Sequence, residues 1–341
     1  MKAFVLEKYG SPLRQTEMPV PSPAPHEVLV RMVASGINHA DERLRVGEFK
    51  ALFPVSFPKV MGGEFAGVVV KVGAAVTDFT IGETVYGYVG LSAAGTLSEF
   101  VPVDARAVAR APESLSLVEV AGLPVAALTA WQALVDMGHT AEGHTVLVHG
   151  GTGGVGSVAI QLAKHLGATV ATTVSTKNID AARELGADIV IDYTRDDLVQ
   201  RLDSTPVDLV LDTQGGTTLL TSLEVLRSGG TVIGVTGPPE PMFARRIGVN
   251  PVVRLAIRAM SARVRRRARA LGVTYRFLLI APDGAAMQKV AELVDDRILR
   301  PIIDRARAFD ETHEALDDVL AGGTRGKIVV TTDPKSVTAR G

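Results

Sequence analysis

Between residues 145 and 235 the chain alternates two kinds of apolar pattern. Short β-branched runs at 146–148, 169–174, 188–191, 208–211 and 231–235 predict strands. Helical stretches at 158–166, 178–185 and 218–227 lie between them, and Gly167 and Gly186 close the first two. Such alternation predicts a parallel sheet with helical crossovers.

The N-terminal texture is different. Runs at 3–7, 27–34, 65–72, 84–87 and 99–102 are short and punctuated by Gly and Pro, which predicts an all-β module. Pro19, Pro21, Pro23 and Pro25 form an extended connector between two of its strands. Stretches 117–123 and 126–134 read as helices leading into the alternating block. Beyond Gly272 come a helix at 284–296, another at 309–320 and a strand at 327–331.

One segment fits neither texture. Between Arg245 and Arg276 lie Arg254, Arg258, Arg263, Arg265, Arg266, Arg267 and Arg269, interleaved with apolar residues such as Leu255, Ile257 and Met260. The expected form is an amphipathic helix pair with a solvated arginine face. A helix lying on a membrane surface and an anion-capturing segment near a phosphorylated ligand are the alternatives.

Composition narrows the function classes. A length of 341 residues suggests two domains. The net charge of −1 argues against nucleic acid as a partner. The absence of cysteine excludes disulfides, thiolate catalysis and cysteine-bound zinc. The N-terminus has no basic-then-apolar signal pattern, and no apolar run approaches the ~20 residues of a membrane span, so the expected location is cytoplasmic.

The most informative chemistry lies in Val146–Gly156, VLVHGGTGGVG. A strand runs into Gly151-x-Gly153-x-x-Gly156 and then into a helix, the phosphate-binding start of a dinucleotide fold. Gly151, Gly153, Gly154, Val155 and Gly156 would meet a pyrophosphate at the helix N-terminus, where free N–H groups and a positive dipole end favour an anion. A Ser–His–Asp hydrolase is set aside, because Gly95-Thr96-Leu97-Ser98-Glu99 lacks the nucleophile-elbow spacing.

Other runs carry a family resemblance. They are Gly36-Ile37-Asn38-x-x-Asp41-x-x-x-Arg45-x-Gly47, Gly62-Gly63-Glu64-Phe65-Ala66-Gly67, Gly82-Glu83-x-Val85-Tyr86-Gly87, Gly95-Thr96-Leu97-Ser98-Glu99-Phe100 and Leu128-Thr129-Ala130-Trp131. With the glycine motif and Arg325-Gly326-Lys327 they span essentially the whole chain. The chain resembles the medium-chain dehydrogenase/reductase superfamily, and within it the zinc-independent quinone oxidoreductase branch. The resemblance implies an α/β fold with a GroES-like β-rich catalytic domain, from residues 1–124 and 271–341. A Rossmann domain with a doubly wound parallel sheet, residues 125–270, is inserted in it. It further implies an active site in the cleft and a homodimer formed through the Rossmann domain.

Zinc-dependent relatives place a cysteine where this chain has Asn38 and a histidine where it has Gly63, although Glu64 is retained. Catalytic zinc needs three protein ligands, so no metal site is expected, and His39 reads as a cleft or packing residue. Without that Lewis acid the expected acceptor is already electron-poor, a quinone or conjugated carbonyl. No carboxylate follows the second strand until Asp180, which disfavours the usual NAD contact. By resemblance Ser175, Lys177 and Tyr193 grip a 2′-phosphate, so the expected cofactor is NADPH. Asn38 and Thr129 fall near the nicotinamide and are the catalytic candidates, with Thr236 and Lys327 as further cofactor contacts.

One departure bears on the reaction. Many relatives, above all enoyl-thioester reductases, carry a tyrosine where this chain has Phe49, and a phenyl ring donates no proton. Arg43, Glu48, Tyr86 and Tyr88 are the other polar groups of that region. The resulting expectation is an NADPH-dependent, zinc-independent oxidoreductase delivering hydride to a quinone-like acceptor. The alternatives are an enone or enoyl reductase, or a weakly catalytic NADPH-binding protein associated with a membrane.

Overall fold

The computed structural model describes residues 1–91, 93 and 95–333. In chain order the first strands are β1 (Lys2–Leu6), β2 (Arg14–Glu17), β3 (Glu27–Ile37), β4 (Lys59–Val60), β5 (Glu64–Val72), β6 (Thr84–Tyr88), β7 (Phe100–Asp104) and β8 (Val108–Arg110). There follow β9 (Thr145–His149), β10 (Thr169–Val174), β11 (Ile189–Asp192), β12 (Val207–Asp212), β13 (Leu226–Gly234) and β14 (Thr274–Phe277). The last strands are β15 (Ile303–Ala308) and β16 (Lys327–Thr331).

Two compact units result. One comprises residues 1–128 and 281–341, the other residues 129–280. The divisions expected at 124/125 and 270/271 thus lie four and ten residues further along. The reason at the second boundary is β14, which pairs in parallel with β13 and so belongs to the inserted unit.

The first unit contains a three-stranded sheet, β2-β1-β4, and a seven-stranded one. The larger follows the order β15-β16-β3-β5-β6-β8, and β7 also pairs with β3. Only β15 and β16 are parallel; the other pairs are antiparallel. A core of Val28, Val30, Phe65, Val69, Val85 and Val101 lies among β3, β5, β6 and β7. A second core brings Phe4 and Leu6 of β1 against Phe309, Leu316 and Ile328, so N- and C-terminal segments close one unit.

The second unit is a six-stranded, wholly parallel sheet in the order β11-β10-β9-β12-β13-β14. The chain winds outward from β9 in one direction and then returns to the other side at β12, a doubly wound sheet whose switch point lies between β9 and β12. β9 and β12 are buried along almost their whole length, which is why their sequences read as continuous β-branched runs.

Edge strands escaped the sequence pattern. β2, β14 and β15 read Arg-Gln-Thr-Glu, Thr-Tyr-Arg-Phe and Ile-Asp-Arg-Ala-Arg-Ala, and each lies at a sheet edge. Polar and charged edges discourage pairing with other chains, and they remove the apolar run that marks a strand. The helix expected at 218–227 is the shorter Gly216–Ser222, because Leu226 and Arg227 already belong to β13.

A buried histidine lies at the end of β9. The His149 ring bonds to Thr173 Oγ1 through Nδ1 at 3.0 Å and to Ser222 Oγ through Nε2 at 2.9 Å. Burial lowers its pKa to about 4, against the opposing influence of Asp212. The unfolded chain therefore binds a proton more readily than the native one. His149's contribution to stability is complete above the unfolded value of ~6.5 and is lost as pH falls through that value towards the lower native one. In urea unfolding, His149→Asn is expected to flatten the acid limb of stability against pH relative to wild type. An unchanged acid limb would mean that His149 is not the titrating group.

Candidate functional site

Each unit carries a constellation of candidate residues. In the first unit the hub is Glu64, the first residue of β5 and completely buried. Its Oε1 accepts from Asn38 Nδ2 at 2.8 Å and from Lys327 Nζ at 2.6 Å, while Oε2 accepts from the Val125 N–H at 2.7 Å. Lys327 Nζ also donates to Asn38 Oδ1. Both ends of the Asn38 carboxamide are therefore held, which fixes its orientation.

Local sequence explains the placement. Asn38 follows β3 and caps the helix His39–Arg45, and its N–H donates to Asp41 Oδ2 at 2.8 Å. Lys327 opens β16, which pairs with the end of β3. Gly36 is required beside them: a Cβ there would lie 2.2 Å from Glu64 Oε1. Asn38 and Lys327, both expected as cofactor contacts, meet around Glu64, which the motif pattern marks only as retained.

Further charged groups pack nearby. Burial pushes the Asp41 carboxyl up to about 7, aided by the Glu64 charge. Burial pulls the Lys59 amine down to about 8, opposed by Asp41. The buried Tyr88 phenol is raised by burial and by Asp41 and Glu64. His39 is partly exposed, and its pKa is lowered by partial burial and by the Lys327 and Arg43 cations.

Phe49 is a packing residue. It is buried, with the Arg43 guanidinium 4.9 Å from its ring centre. Arg43 in turn makes a two-pronged pair with Glu48, at 2.7 and 2.8 Å, so both polar candidates are occupied with each other. Tyr86 is completely buried and donates to the Met287 carbonyl at 2.6 Å, a structural role.

In the second unit the candidates gather at the C-terminal ends of the parallel strands. The glycine turn follows β9, and the helix Gly154–His165 begins on Gly153, whose position carries no side-chain cap. A Cβ at Gly156 would lie 2.2 Å from the Gly150 carbonyl, so the third glycine permits the tight contact between turn and helix. The first-turn amides of Gly154, Val155 and Gly156 are left for an anion, so the loop fits a dinucleotide pyrophosphate.

Ser175 and Lys177 follow β10 and Tyr193 follows β11. The Tyr193 N–H donates to Val174 O at 3.1 Å, which brings these strand ends side by side. Lys177 and Tyr193 are exposed and Ser175 is half-buried. Thr236 follows β13 and lies against Gly215, where a Cβ would meet its Oγ1 at 2.8 Å. Thr129 is buried on the helix Pro124–Trp131.

Asp192 was not anticipated. It ends β11 and accepts from Thr176 Oγ1 at 2.5 Å and from Thr194 N and Oγ1 at 3.0 and 2.7 Å. Those hydrogen bonds, Thr176's first, hold its carboxyl below the usual range. It thereby ties the Ser175–Asn178 turn to the neighbouring strand. Its position directly before Tyr193, at a strand end, was the available signal.

Among the described residues no three His, Cys, Asp or Glu side chains form a metal-holding group. Asn38, Gly63 and a Glu64 whose two oxygens are engaged do not fit a three-ligand zinc centre.

Comparison with known proteins agrees with this architecture. Residues 24–113 match the family described as the alcohol dehydrogenase GroES-like domain, and residues 185–330 match the one described as zinc-binding dehydrogenase. The chain is 34% identical to the Mus musculus protein named NAD(P)H oxidoreductase RTN4IP1, mitochondrial, over 97% of this chain and 89% of that protein. It is 38% identical to the NADPH-dependent alkenal/one oxidoreductase, chloroplastic, of Arabidopsis thaliana, over 71% of this chain and 64% of that protein. Among solved structures, the quinone oxidoreductase from Coxiella burnetii aligns with a TM-score of 0.83 at 29% identity, covering 98% of this chain and 99% of that one.

The Glu64 hub makes a stability prediction. Glu64→Ala leaves Lys327 buried without its carboxylate and is expected to cost about 3–5 kcal/mol in chemical unfolding. Adding Lys327→Met should restore more than half of that loss. Strictly additive losses would mean that the two side chains are not energetically coupled.

Proposed function

Because the chain belongs to the medium-chain dehydrogenase/reductase superfamily, which it matches along nearly its whole length, we propose that it is an NADPH-dependent, zinc-independent oxidoreductase that reduces quinone-like conjugated acceptors. Its relatives are NAD(P)H oxidoreductases, so a nicotinamide cofactor and a small-molecule substrate follow from membership. The observation that carries the finer reading is the gathering of the glycine turn, Ser175, Lys177, Tyr193 and Thr236 at the C-terminal ends of one doubly wound sheet. Open α/β sheets bind ligands at that rim.

When bound, the reduced nicotinamide supplies the hydride. The protein's own part is positioning and charge. The amides of Gly154, Val155 and Gly156 hold the pyrophosphate. Ser175 and Lys177 hold the 2′-phosphate through a hydroxyl and an ammonium, beside the Tyr193 phenol. Asp192 accepts from Thr176 and Thr194 and so ties the turn that carries Ser175 and Lys177 to the end of β11. In the first unit Asn38 offers an amide of fixed orientation, and Lys327 a buried ammonium, to an acceptor oxygen as it gains negative charge.

Zinc independence rests on the donor set: no cysteine, an amide at 38 and a glycine at 63. The quinone preference rests on Phe49, since solvent protonates a hydroquinone oxygen, whereas reduction of a carbon–carbon double bond needs a proton delivered to carbon. The likeness to the Arabidopsis alkenal/one oxidoreductase favours enone reduction as the second reading.

NADPH consumption, followed by nicotinamide absorbance against quinones, enones and an enoyl thioester, tests the reaction. Turnover with quinones is the expected result. Turnover confined to enones would replace it with the second reading, and no turnover with any acceptor would remove both. Cofactor choice is tested separately by equilibrium binding. Lys177→Ala is expected to raise the Kd for NADPH about 10- to 100-fold and to leave that for NADH nearly unchanged. Equal effects on both would take Lys177 out of the phosphate site.

A further inference from the structure

The segment between residues 241 and 282 holds ten arginines and no Asp, Glu or Lys, in a chain whose net charge is −1. Its two main helices are Pro251–Met260 and Ala262–Ala270. The first is well formed, with Asn250 Oδ1 accepting from the Val253 N–H at 3.0 Å and Pro251 in the first turn. Its arginines Arg254 and Arg258 are solvated, as expected, but most of its apolar side chains are solvated with them. Only Ile257 is buried; Val252, Leu255 and Met260 are 78%, 67% and 63% exposed.

Helical spacing explains the geometry. At ~100° per residue, Val252 and Leu255 lie opposite Ile257, with Arg258 next to Leu255 and Arg254 between Arg258 and Ile257. On the second helix Val264 and Ala268 are buried, so Arg263, Arg266 and Arg269 point outward and are exposed. Ser261 is the joint, its hydroxyl donating to Ile257 O at 2.9 Å and accepting from Arg265 Nε at 3.1 Å. Among the described residues Arg267 is the one arginine of the segment paired to a carboxylate, Glu224 at 2.7 Å. An outward apolar row therefore lies beside an outward row of unneutralised guanidinium groups.

We propose that this face of the helices Pro251–Met260 and Ala262–Ala270 docks on an anionic phospholipid bilayer. Charge complementarity selects the occupant. A second copy meeting this face with its own would press arginine rows together without a carboxylate in either segment to neutralise them. Lipid phosphates accept two parallel N–H bonds from each guanidinium, and the acyl boundary takes up the Leu255 and Val252 side chains. The association is peripheral, since no helix among the described residues is long and apolar enough to cross a membrane. It stands independently of the hydride reaction, because none of these side chains belongs to either candidate site.

The test is sedimentation of the full chain with phosphatidylcholine vesicles, with and without phosphatidylglycerol, at low and high salt. Binding is expected to the anionic vesicles only and to weaken as salt rises. The variant R263A/R266A/R269A should lower partition on the order of 100-fold. Leu255→Ala should lower it about 10-fold, and all these positions are exposed, so the fold is retained. Absence of binding to anionic vesicles, or binding indifferent to both variants, overturns the proposal. So does tighter, Leu255-independent binding to duplex DNA, which would make the face a polyanion site. Self-association of the wild-type chain that Leu255→Ala abolishes would make a second copy the occupant, and would also overturn it.

Discussion

A completely buried carboxylate organises the first unit. Glu64 accepts from Asn38, Lys327 and the Val125 amide, so one side chain ties β5 to the end of β3, to the start of β16 and to the helix that leads out of the unit. The partners lie far apart in sequence, Lys327 being 289 residues from Asn38. A chain interrupted by a whole inserted sheet needs contacts of this kind to close the outer unit on itself. The apolar contact of Phe4 with Phe309 works in the same direction. A buried carboxylate is tolerable only while its partners are present, so the requirement for Glu64 carries over to Asn38, Lys327 and Gly36 together.

The second unit rests on a different constraint. Parallel strands need crossovers, the crossovers cover both faces of the sheet, and the strand ends are left as the place where loops and helix N-termini converge. The glycine turn after β9 and the short turns after β10, β11, β12 and β13 all emerge there. Asp192 and His149 are the polar supports of this rim. Asp192 holds the Thr176 turn, and His149 bonds to hydroxyls of β10 and of the helix Gly216–Ser222. Neither needs to touch a ligand to shape the site.

The arginine-rich helices illustrate how composition and orientation separate. Their charge is evident from residue types alone. Which side of the helix Pro251–Met260 is buried is settled by Ile257, not by the arginines, and the exposed apolar row is a consequence of that packing. Periodicity reports that a helix has two faces; it does not report which face meets the protein when both carry apolar side chains.

The sequence by itself determined the parallel sheet, because buried central strands must be β-branched runs and phosphate-binding turns must be glycines. It also determined the family, through motifs spread over the chain, and placed Gly151, Gly153, Gly156, Ser175, Lys177 and Tyr193 at strand ends, since those assignments follow from local order. It did not reveal β14 or β15, whose charged edges carry no apolar run. It did not reveal that Arg43 and Glu48 occupy each other above Phe49. Nor did it reveal the Glu64 hub, the Asp192 tie or the outward turn of Leu255. These depend on which side chains meet, whether two positions apart, as Asp192 and Thr194, or 289 apart, as Asn38 and Lys327, and such pairings leave no periodicity in the chain. Tertiary structure alone decided them, because a hydrogen bond or a buried face is a property of two surfaces, and local sequence specifies only one.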